Sequence, residues 1–303
     1  MCLYPCQNKI AGRRGVDRRH GVDASHVKRR YQKVQNKSNA HSEVPGMQAT
    51  ARERWERLAD WWDDTIGDGN RTQDELVEPN QMDLLDLRPG ERVLDIACGA
   101  GRFARRMAAA GAEVIAFDQS ANFITRARQR AQGAPGAMTF QALNAADADS
   151  VLKMGEGTFD AAVCTMAIMD MPEIEPMAAW LPRMVKPGGR FVFSVAHPVF
   201  NSGHATLVAE RRLDDGTQQY AIRMDNYLDF KVTEGEGIRG QPVKHFYFER
   251  PLSLVLNTFF AHGLVMDRIL EVGFDPPEEP DSRLHWGNLR GIPQVLLARL
   301  RRD

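Results

Sequence analysis

Apolar residues first recur at a regular spacing near residue 50. Within residues 51–65 they occupy positions i, i+3, i+4 and i+7, namely Trp55, Leu58, Ala59 and Trp62. This spacing predicts an amphipathic helix. A second helix is predicted from Gln73 to Leu87, where Pro89-Gly90 interrupts it. The two helices predict a helical cap over residues 47–90, ahead of a larger domain at residues 91–303.

From residue 91 the pattern changes to short apolar runs that alternate with helical segments. Residues 92–97 predict a strand, and a glycine-rich turn follows it. Residues 102–110 have helical spacing, and residues 113–117 predict a second strand that ends in Asp118. Ser120 then suits the N-cap of the next helix. This order of elements is typical of the nucleotide-binding half of a doubly wound parallel sheet.

The rest of the chain predicts more strands around a long insertion. Strands are predicted at residues 138–142, 158–164, 191–195, 264–272 and 293–300, with a helix at 173–184 and another at 252–262. The insertion at residues 199–250 is rich in aromatic residues and contains strand-like stretches at 218–224 and 243–248. An aromatic lid is one interpretation, with Tyr220, Tyr227 and Tyr247 as its candidate residues. The alternative is an insertion with a purely structural role.

Charge is unevenly distributed along the 303 residues. Residues 1–46 contain ten Lys/Arg and three Asp/Glu, whereas the remainder contains 29 and 37. The first segment lacks periodicity and predicts a disordered basic leader. The net charge of -1 argues against a nucleic-acid partner for the whole chain. No apolar run approaches the roughly 18 residues of a membrane span.

The four cysteines show no CxxC spacing. A chain of this size does not depend on disulfides, so we expect a reducing, cytoplasmic setting. Cys98 and Cys164 are interpreted as packing residues rather than nucleophiles. We also find no HxxxH motif, no Cys/His pair and no Asp-Asn cluster after a strand, so no metal site is predicted.

The turn after the first predicted strand has the features of a nucleotide site. Glycines there permit close approach of a ligand to the backbone, and the helix that follows offers free N–H groups. An acid at the tip of the second strand, Asp118, can accept both hydroxyls of a ribose. Residues 99–104 also fit the GxGxxG/A dinucleotide pattern, which leaves an NAD(P)-dependent oxidoreductase as an alternative. Asp95 argues against that alternative, because its carboxylate would repel a pyrophosphate and suits a cationic amino group.

Four segments in order carry a family resemblance. They are Val93–Gly101, Ala116–Ser120, Thr158–Cys164 and the Lys186-Pro187-Gly188-Gly189 turn. In these segments the chain resembles the class I S-adenosylmethionine-dependent methyltransferases, in particular the bacterial small-molecule type 11/25 branch. The resemblance covers about residues 51–300.

The resemblance implies an α/β fold and a set of cofactor contacts. The fold would be a doubly wound, Rossmann-like, seven-stranded and mostly parallel sheet with a C-terminal antiparallel hairpin. Asp95 would lie beneath the methionine amino group, Asp118 would hold the ribose, and Asn144 would contact the adenine amine, with Asp147 as the alternative. The full set of expected cofactor-binding residues is Asp95, Ala97, Cys98, Gly99, Gly101, Asp118, Gln119, Asn144, Ala145 and Thr165.

The implied reaction moves a methyl group from S-adenosyl-L-methionine to an O, N or C atom of a small-molecule acceptor, leaving S-adenosyl-L-homocysteine. His197 follows the fifth strand and is the candidate general base; holding the loop is its alternative role. Asp170 is interpreted as a helix cap, with an acceptor contact as the alternative. We expect a monomer or homodimer. A non-catalytic nucleotide-binding module is the remaining alternative, because fold alone does not fix function.

Overall fold

A computed structural model describes residues 44–275 and 285–303, and the predicted leader lies outside them up to residue 43. Eleven strands form within the described residues. They are β1 (Arg92–Ile96), β2 (Glu113–Asp118), β3 (Ala137–Ala142), β4 (Phe159–Thr165), β5 (Val185–Ala196), β6 (Ala205–Arg211), β7 (Gln218–Met224), β8 (Lys231–Gly235), β9 (His245–Glu249), β10 (Leu264–Val272) and β11 (Val295–Arg302).

The helices of the same residues connect and cover these strands. The α-helices are α1 (Gln48–Ile66), α2 (Glu78–Leu85), α3 (Arg102–Ala109), α4 (Ala121–Arg130), α5 (Ala148–Leu152), α6 (Glu175–Met184) and α7 (Leu252–Phe260). Short 3-10 turns form at Val44–Met47, Ile168–Asp170 and Trp286–Asn288. The second predicted cap helix is divided into a π-helical stretch, Thr72–Val77, and α2.

Seven strands form one sheet in the order β10-β11-β5-β4-β1-β2-β3. Strands β1 to β5 are parallel to one another, whereas β11 runs antiparallel to both β5 and β10. The predicted doubly wound sheet and its C-terminal antiparallel pair are therefore confirmed. Because β1, β2, β4 and β5 are parallel, their carboxyl ends meet at one edge, where open α/β sheets bind ligands.

Helices cover both faces of the sheet, and β1 and β4 are buried between them. On one face, Trp180 of α6 and Phe259 of α7 belong to the same apolar cluster as Phe191 and Phe193 of β5. On the other face, helices α2, α3 and α4 contribute a second apolar cluster. The apolar runs that predicted β1 and β4 reflect this burial on two sides.

The insertion forms two antiparallel hairpins, β6–β7 and β8–β9. The sequence predicted β7 and most of β9 but not their partners β6 and β8, which are polar at many positions. The Lys186-Pro187-Gly188-Gly189 segment, predicted as a turn, lies inside the long β5, where the pairing with β4 shifts register. Strand β9 contacts both α1 and the Ile168–Asp170 turn, so the insertion lies beside the ligand edge of the sheet.

The 3-10 turn at Val44–Met47 leads directly into α1. Val44 is buried in a small cluster with Ala51, Phe246 and Phe248. This contact joins the start of α1 to strand β9. In the described part of the chain, every helix is too short or too polar to cross a bilayer.

Gly101 precedes α3 in a left-handed conformation with φ at +70°, and an added Cβ would lie 2.6 Å from the Phe140 ring. Gly188 has a similar φ of +72° but open space around it. Gly188→Ala should cost about 1–2 kcal/mol of unfolding free energy for the left-handed backbone alone. Gly101→Ala should cost about 1–3 kcal/mol more, because it also overpacks the interior. Urea denaturation of the two variants measures the difference, and equal losses would contradict this packing argument.

Candidate active site at the carboxyl edge of the sheet

A cavity of about 680 Å³ opens at the carboxyl ends of the central strands. The β1–α3 turn and the ends of β2 and β4 form its floor. Helix α1 and strand β9 form walls above this floor. The aromatic residues that line it are Trp55, Trp62, Phe103, Phe117, Phe123, Tyr247, Phe248 and Trp286. The cavity has the size and mixed lining of a small-molecule site.

Asp95 lies at the floor of this cavity, near the end of β1. Its side chain is 1% exposed, and neither carboxylate oxygen has a hydrogen-bond partner. Burial, together with the nearby charge of Asp118, raises the pKa of Asp95 to about 8. A buried carboxylate without a partner is costly. The position therefore suits a ligand that brings a cationic or hydrogen-bond-donating group.

Asp118 ends β2 and is held by two backbone amides. One oxygen accepts from Gly99 N at 3.0 Å, and the other accepts from Ser120 N at 2.9 Å. Burial raises the pKa of Asp118 to about 6, although these two hydrogen bonds oppose the shift. Each carboxylate oxygen retains a second lone pair for a ligand hydroxyl. The Ser120 hydroxyl caps α4 by accepting from Phe123 N, as predicted.

The two glycines of the β1–α3 turn, Gly99 and Gly101, have different environments. Gly99 lines the cavity, whereas Gly101 is buried against Phe140 and is absent from the lining. We therefore assign Gly101 a packing role rather than the expected ligand contact. Ala97 and Cys98 line the cavity through the same turn. Burial raises the pKa of the Cys98 thiol well above its ordinary value, which disfavours a nucleophilic role.

The structure separates the two candidates for the adenine contact. Asn144 lines the cavity, where its Oδ1 accepts from Gln48 Nε2 at 3.1 Å and from Ala146 N at 2.9 Å. Asp147 is exposed and caps α5 by accepting from Ser150 N at 3.2 Å. The geometry therefore favours Asn144. Gln48 was missed by sequence reasoning, because nothing in its local pattern indicates a contact 96 positions away.

Three further predicted cofactor residues also line the cavity: Gln119, Ala145 and Thr165. The Thr165 hydroxyl accepts from Gln81 Nε2 at 2.6 Å. The Oε1 atoms of Gln48 and Gln119 are buried without partners. Together with Asp95, these side chains present unpaired acceptors to the cavity, so its floor is prepared for a ligand rich in donors.

His197 follows β5 but does not line the cavity. Its ring is 1% exposed, its Nε2 lies 2.8 Å from Glu271 Oε1, and its Nδ1 accepts from Val199 N and Phe200 N at 3.2 and 3.4 Å. Both ring nitrogens therefore have partners that hold the loop after β5. This geometry disfavours the expected general base and favours the alternative of a loop-holding residue.

The predicted lid tyrosines occupy three different environments. Tyr247 on β9 lines the cavity and packs against the His245 ring at 4.4 Å. The Tyr227 hydroxyl accepts from Leu252 N at 2.8 Å, at the start of α7. Tyr220 lies on β7 opposite Ala209, outside the cavity lining. Only Tyr247 of the three is placed to contact a ligand in this cavity.

Asp170 and His245 were not predicted as a pair. Asp170 lies before α6 but does not cap it, because α6 begins at Glu175 with Ile174 at its N-cap. The helix-cap interpretation is therefore wrong. Instead, Asp170 Oδ1 is buried without a hydrogen-bond partner, 3.7 Å from His245 Nε2. The two residues are 75 positions apart, and only the insertion brings them together.

Burial determines the protonation of this pair. Burial and the nearby charge of Arg54 lower the pKa of His245 to about 4. Burial and the charge of Glu249 raise the pKa of Asp170 well above its ordinary value.

Within residues 44–275 and 285–303, no group of three or more His, Cys, Asp or Glu side chains could hold a metal ion.

Comparison with known proteins gives three kinds of likeness. Residues 93–189 match a family model described as a methyltransferase domain. A ubiquinone biosynthesis O-methyltransferase from Coxiella burnetii is 25% identical over 219 residues, which cover 67% of this chain and 91% of that protein. A 23S rRNA (uracil(1939)-C(5))-methyltransferase from Nitrosospira multiformis is 30% identical over 135 residues, which cover 43% of this chain. The match spans only 29% of that enzyme's length.

The fold is also found among solved structures. An S-adenosylmethionine-dependent methyltransferase from Mesorhizobium loti superposes with a TM-score of 0.56 at 22% identity. The superposition covers 74% of this chain and 96% of that one. The shared architecture places the cavity described above at the ligand edge of the same type of sheet.

The raised pKa of Asp95 predicts a dependence of stability on pH. Between the ordinary aspartate pKa of about 3.9 and the folded value of about 8, the folded state binds the extra proton, so stability falls as pH rises. Asp95→Asn removes this contribution. The stability advantage of the variant over wild type should therefore grow by up to about 1.4 kcal/mol per pH unit between pH 5 and 7.5. Chemical denaturation at several pH values measures this difference, and parallel curves would contradict the assigned burial cost.

Proposed function

We propose that this chain is a class I S-adenosylmethionine-dependent methyltransferase that transfers the methyl group to a small-molecule acceptor bound in the same cavity. The observation that carries the proposal is the buried, unpartnered Asp95 next to Asp118. Both residues lie within residues 93–189, the range that matches the methyltransferase family model. The bound donor would supply a methyl group on a sulfonium.

The residues of the floor fit that donor. Asp95 would pair with the methionine ammonium, which neutralises a charge that otherwise has no partner. Asp118 would accept the ribose hydroxyls while Gly99 and Ser120 hold its carboxylate in place. Asn144 would face the adenine amine. Since Asn144 Oδ1 already accepts two hydrogen bonds, we assign part of that contact to the free Oε1 of Gln48.

The walls would act by positioning and by excluding water. Helix α1 and strand β9 close over the floor, and their contact is sealed by Val44, Ala51, Phe246 and Phe248. A cavity with aromatic walls can align donor and acceptor and exclude competing water, and alignment alone can supply much of a rate enhancement. The Trp55 and Tyr247 faces can also stabilise the positive sulfonium.

A small acceptor is favoured over a nucleic acid. The cavity lining includes the carboxylates of Glu78, Asp170, Glu173, Glu236 and Glu249 in addition to those of the floor. An acidic cavity repels phosphates, which dominate nucleic-acid affinity. The Coxiella burnetii relative, an O-methyltransferase of ubiquinone biosynthesis, matches over 91% of its length and supports an oxygen acceptor. The NAD(P) alternative is disfavoured because a pyrophosphate beside Asp95 would bring no cationic group to pair with this buried carboxylate.

Asp118→Ala tests the cofactor assignment. The variant should weaken S-adenosylhomocysteine binding about 10- to 150-fold, because charge-assisted hydrogen bonds to hydroxyls are worth roughly 1.5–3 kcal/mol. Calorimetry measures the affinity, and a thermal melt confirms that the variant is folded. Asp147→Ala is the matched control, since this carboxylate lies outside the cavity and only caps α5.

The control should bind S-adenosylhomocysteine like wild type. Tight binding of NAD by the wild-type chain, or unchanged S-adenosylhomocysteine affinity in a folded Asp118→Ala variant, would overturn the assignment.

A further inference from the structure

The Asp170–His245 pair lines the cavity, in a part that we call its acceptor end. Hydrogen bonds to the His245 ring show which of its two nitrogens carries the proton in the neutral form. Gln241 Oε1 accepts from Gly237 N at 3.1 Å, which fixes the orientation of this amide. Its Nε2 then donates to Val243 O and to His245 Nδ1, the latter at 3.0 Å. His245 Nδ1 is therefore an acceptor, and a neutral ring carries its proton on Nε2, facing Asp170.

The imidazole is held rigidly in that orientation. The Trp55 ring lies 4.6 Å from it and the Tyr247 ring 4.4 Å from it, measured between ring centroids. Trp62 completes the cluster at 6.0 Å. With Gln241 holding Nδ1, the ring has little freedom to reorient. A polar hydrogen is thus presented at a fixed place beside a carboxylate.

The two residues do not satisfy each other, so one ligand atom beside them could bind to both. His245 Nε2 and Asp170 Oδ1 are 3.7 Å apart, beyond a good direct hydrogen bond. Asp170 Oδ1 has no other partner in the described residues. A hydroxyl oxygen beside the pair can accept from Nε2 while it donates to Oδ1. This arrangement recognises a group that is both donor and acceptor.

The charges around the pair restrict the acceptor further. Glu249 and Tyr247 lie near Asp170, and Arg250 is occupied by the backbone carbonyls of Ile168, Phe248, Met171 and Pro172. Among the described lining residues, the only Arg or Lys besides Arg250 is Arg102, whose charge is paired with Glu78 and Asp74. An anionic acceptor would thus lack an unpaired cationic charge. A cationic acceptor would be repelled by the sulfonium of the donor.

We propose that Asp170 is the base that accepts a proton from the hydroxyl of a neutral aromatic acceptor, which His245 orients and the Trp55–Tyr247 walls stack against. In this step the acceptor oxygen forms a bond to the methyl carbon as the carbon–sulfur bond breaks. The sulfur keeps that electron pair and becomes a neutral thioether, and the hydroxyl proton moves to Asp170 Oδ1. The approach of the positive sulfonium favours the ionised form of Asp170 before transfer. This inference rests on the proposed methyltransferase function.

Binding experiments test the pair without knowledge of the natural acceptor. The protein is saturated with an unreactive donor analogue that carries an amine in place of the sulfonium methyl, and phenol, benzoate and benzylamine are titrated by calorimetry. Phenol should bind wild type more tightly than either charged probe. Asp170→Asn should weaken phenol binding about 10-fold or more, since a charge-assisted hydrogen bond is lost.

Two controls separate this role from others. Asp147→Asn removes an exposed carboxylate that lies outside the cavity and should change phenol binding less than two-fold. Asp170→Asn should not lower the melting temperature, because the carboxylate it replaces has an unpartnered buried oxygen. The donor analogue itself should bind both variants like wild type.

The outcomes are distinct. If wild type does not bind the donor analogue, the proposed function fails, and this inference fails with it. If the analogue binds but phenol does not, or if benzoate or benzylamine binds more tightly than phenol, the assigned acceptor class is wrong. Equal phenol affinities of Asp170→Asn and wild type would overturn the role of Asp170 alone.

Discussion

The site depends on two buried carboxylates that the parallel sheet places side by side. Asp95 and Asp118 lie at the carboxyl ends of adjacent strands, and residues 92–96 and 113–117 pair in register. Each is almost fully removed from water, and the protein satisfies only Asp118 with hydrogen bonds. The fold therefore carries an electrostatic cost that a cationic, hydroxyl-rich ligand would relieve. Ligand affinity and the reduced stability of the free protein have the same origin.

The cap and the insertion give this floor its walls. Helix α1 is fixed over the glycine turn by ion pairs from Arg126 and Arg130 of α4 to Asp60, Asp63 and Asp64. The buried Asp63 accepts from Arg130, so this contact is better shielded than an exposed pair. Strand β9 then packs on α1 and delivers His245 and Tyr247 to the cavity. Elements before and after the core sheet thus build the acceptor end together.

The sequence predicted the parts of the site that lie within one strand and its following turn. Asp95, Gly99, Asp118 and the Ser120 cap could be located because apolar runs and glycines mark where each strand ends. Residues that act through distant partners could not be located in this way. The ring of His197 is held by Glu271, 74 positions away, and Asp170 meets His245 across 75 positions. Strand ends indicate where a side chain lies but not which way it faces.

Strands β6 and β8 show the same limit at the level of the fold. Neither strand has a buried position, and each carries charged residues, so their pattern gives little apolar signal. Strand β8 pairs with β9, which contacts α1 and the Ile168–Asp170 turn, and β6 pairs with β7. The helix boundary before α6 was misplaced because Asp170 resembles a cap in sequence but lies in a separate 3-10 turn.

We propose that Asp95 is mostly protonated in the free protein and becomes ionised when it pairs with the ligand ammonium. Calorimetry of S-adenosylhomocysteine binding at pH 7, repeated in buffers with different ionisation enthalpies, counts the protons exchanged. With a free pKa of about 8 for Asp95, wild type should release about one proton per ligand. Asp95→Asn should bind with almost no release. Tight binding by wild type without proton release would show that Asp95 does not ionise to pair with the ammonium.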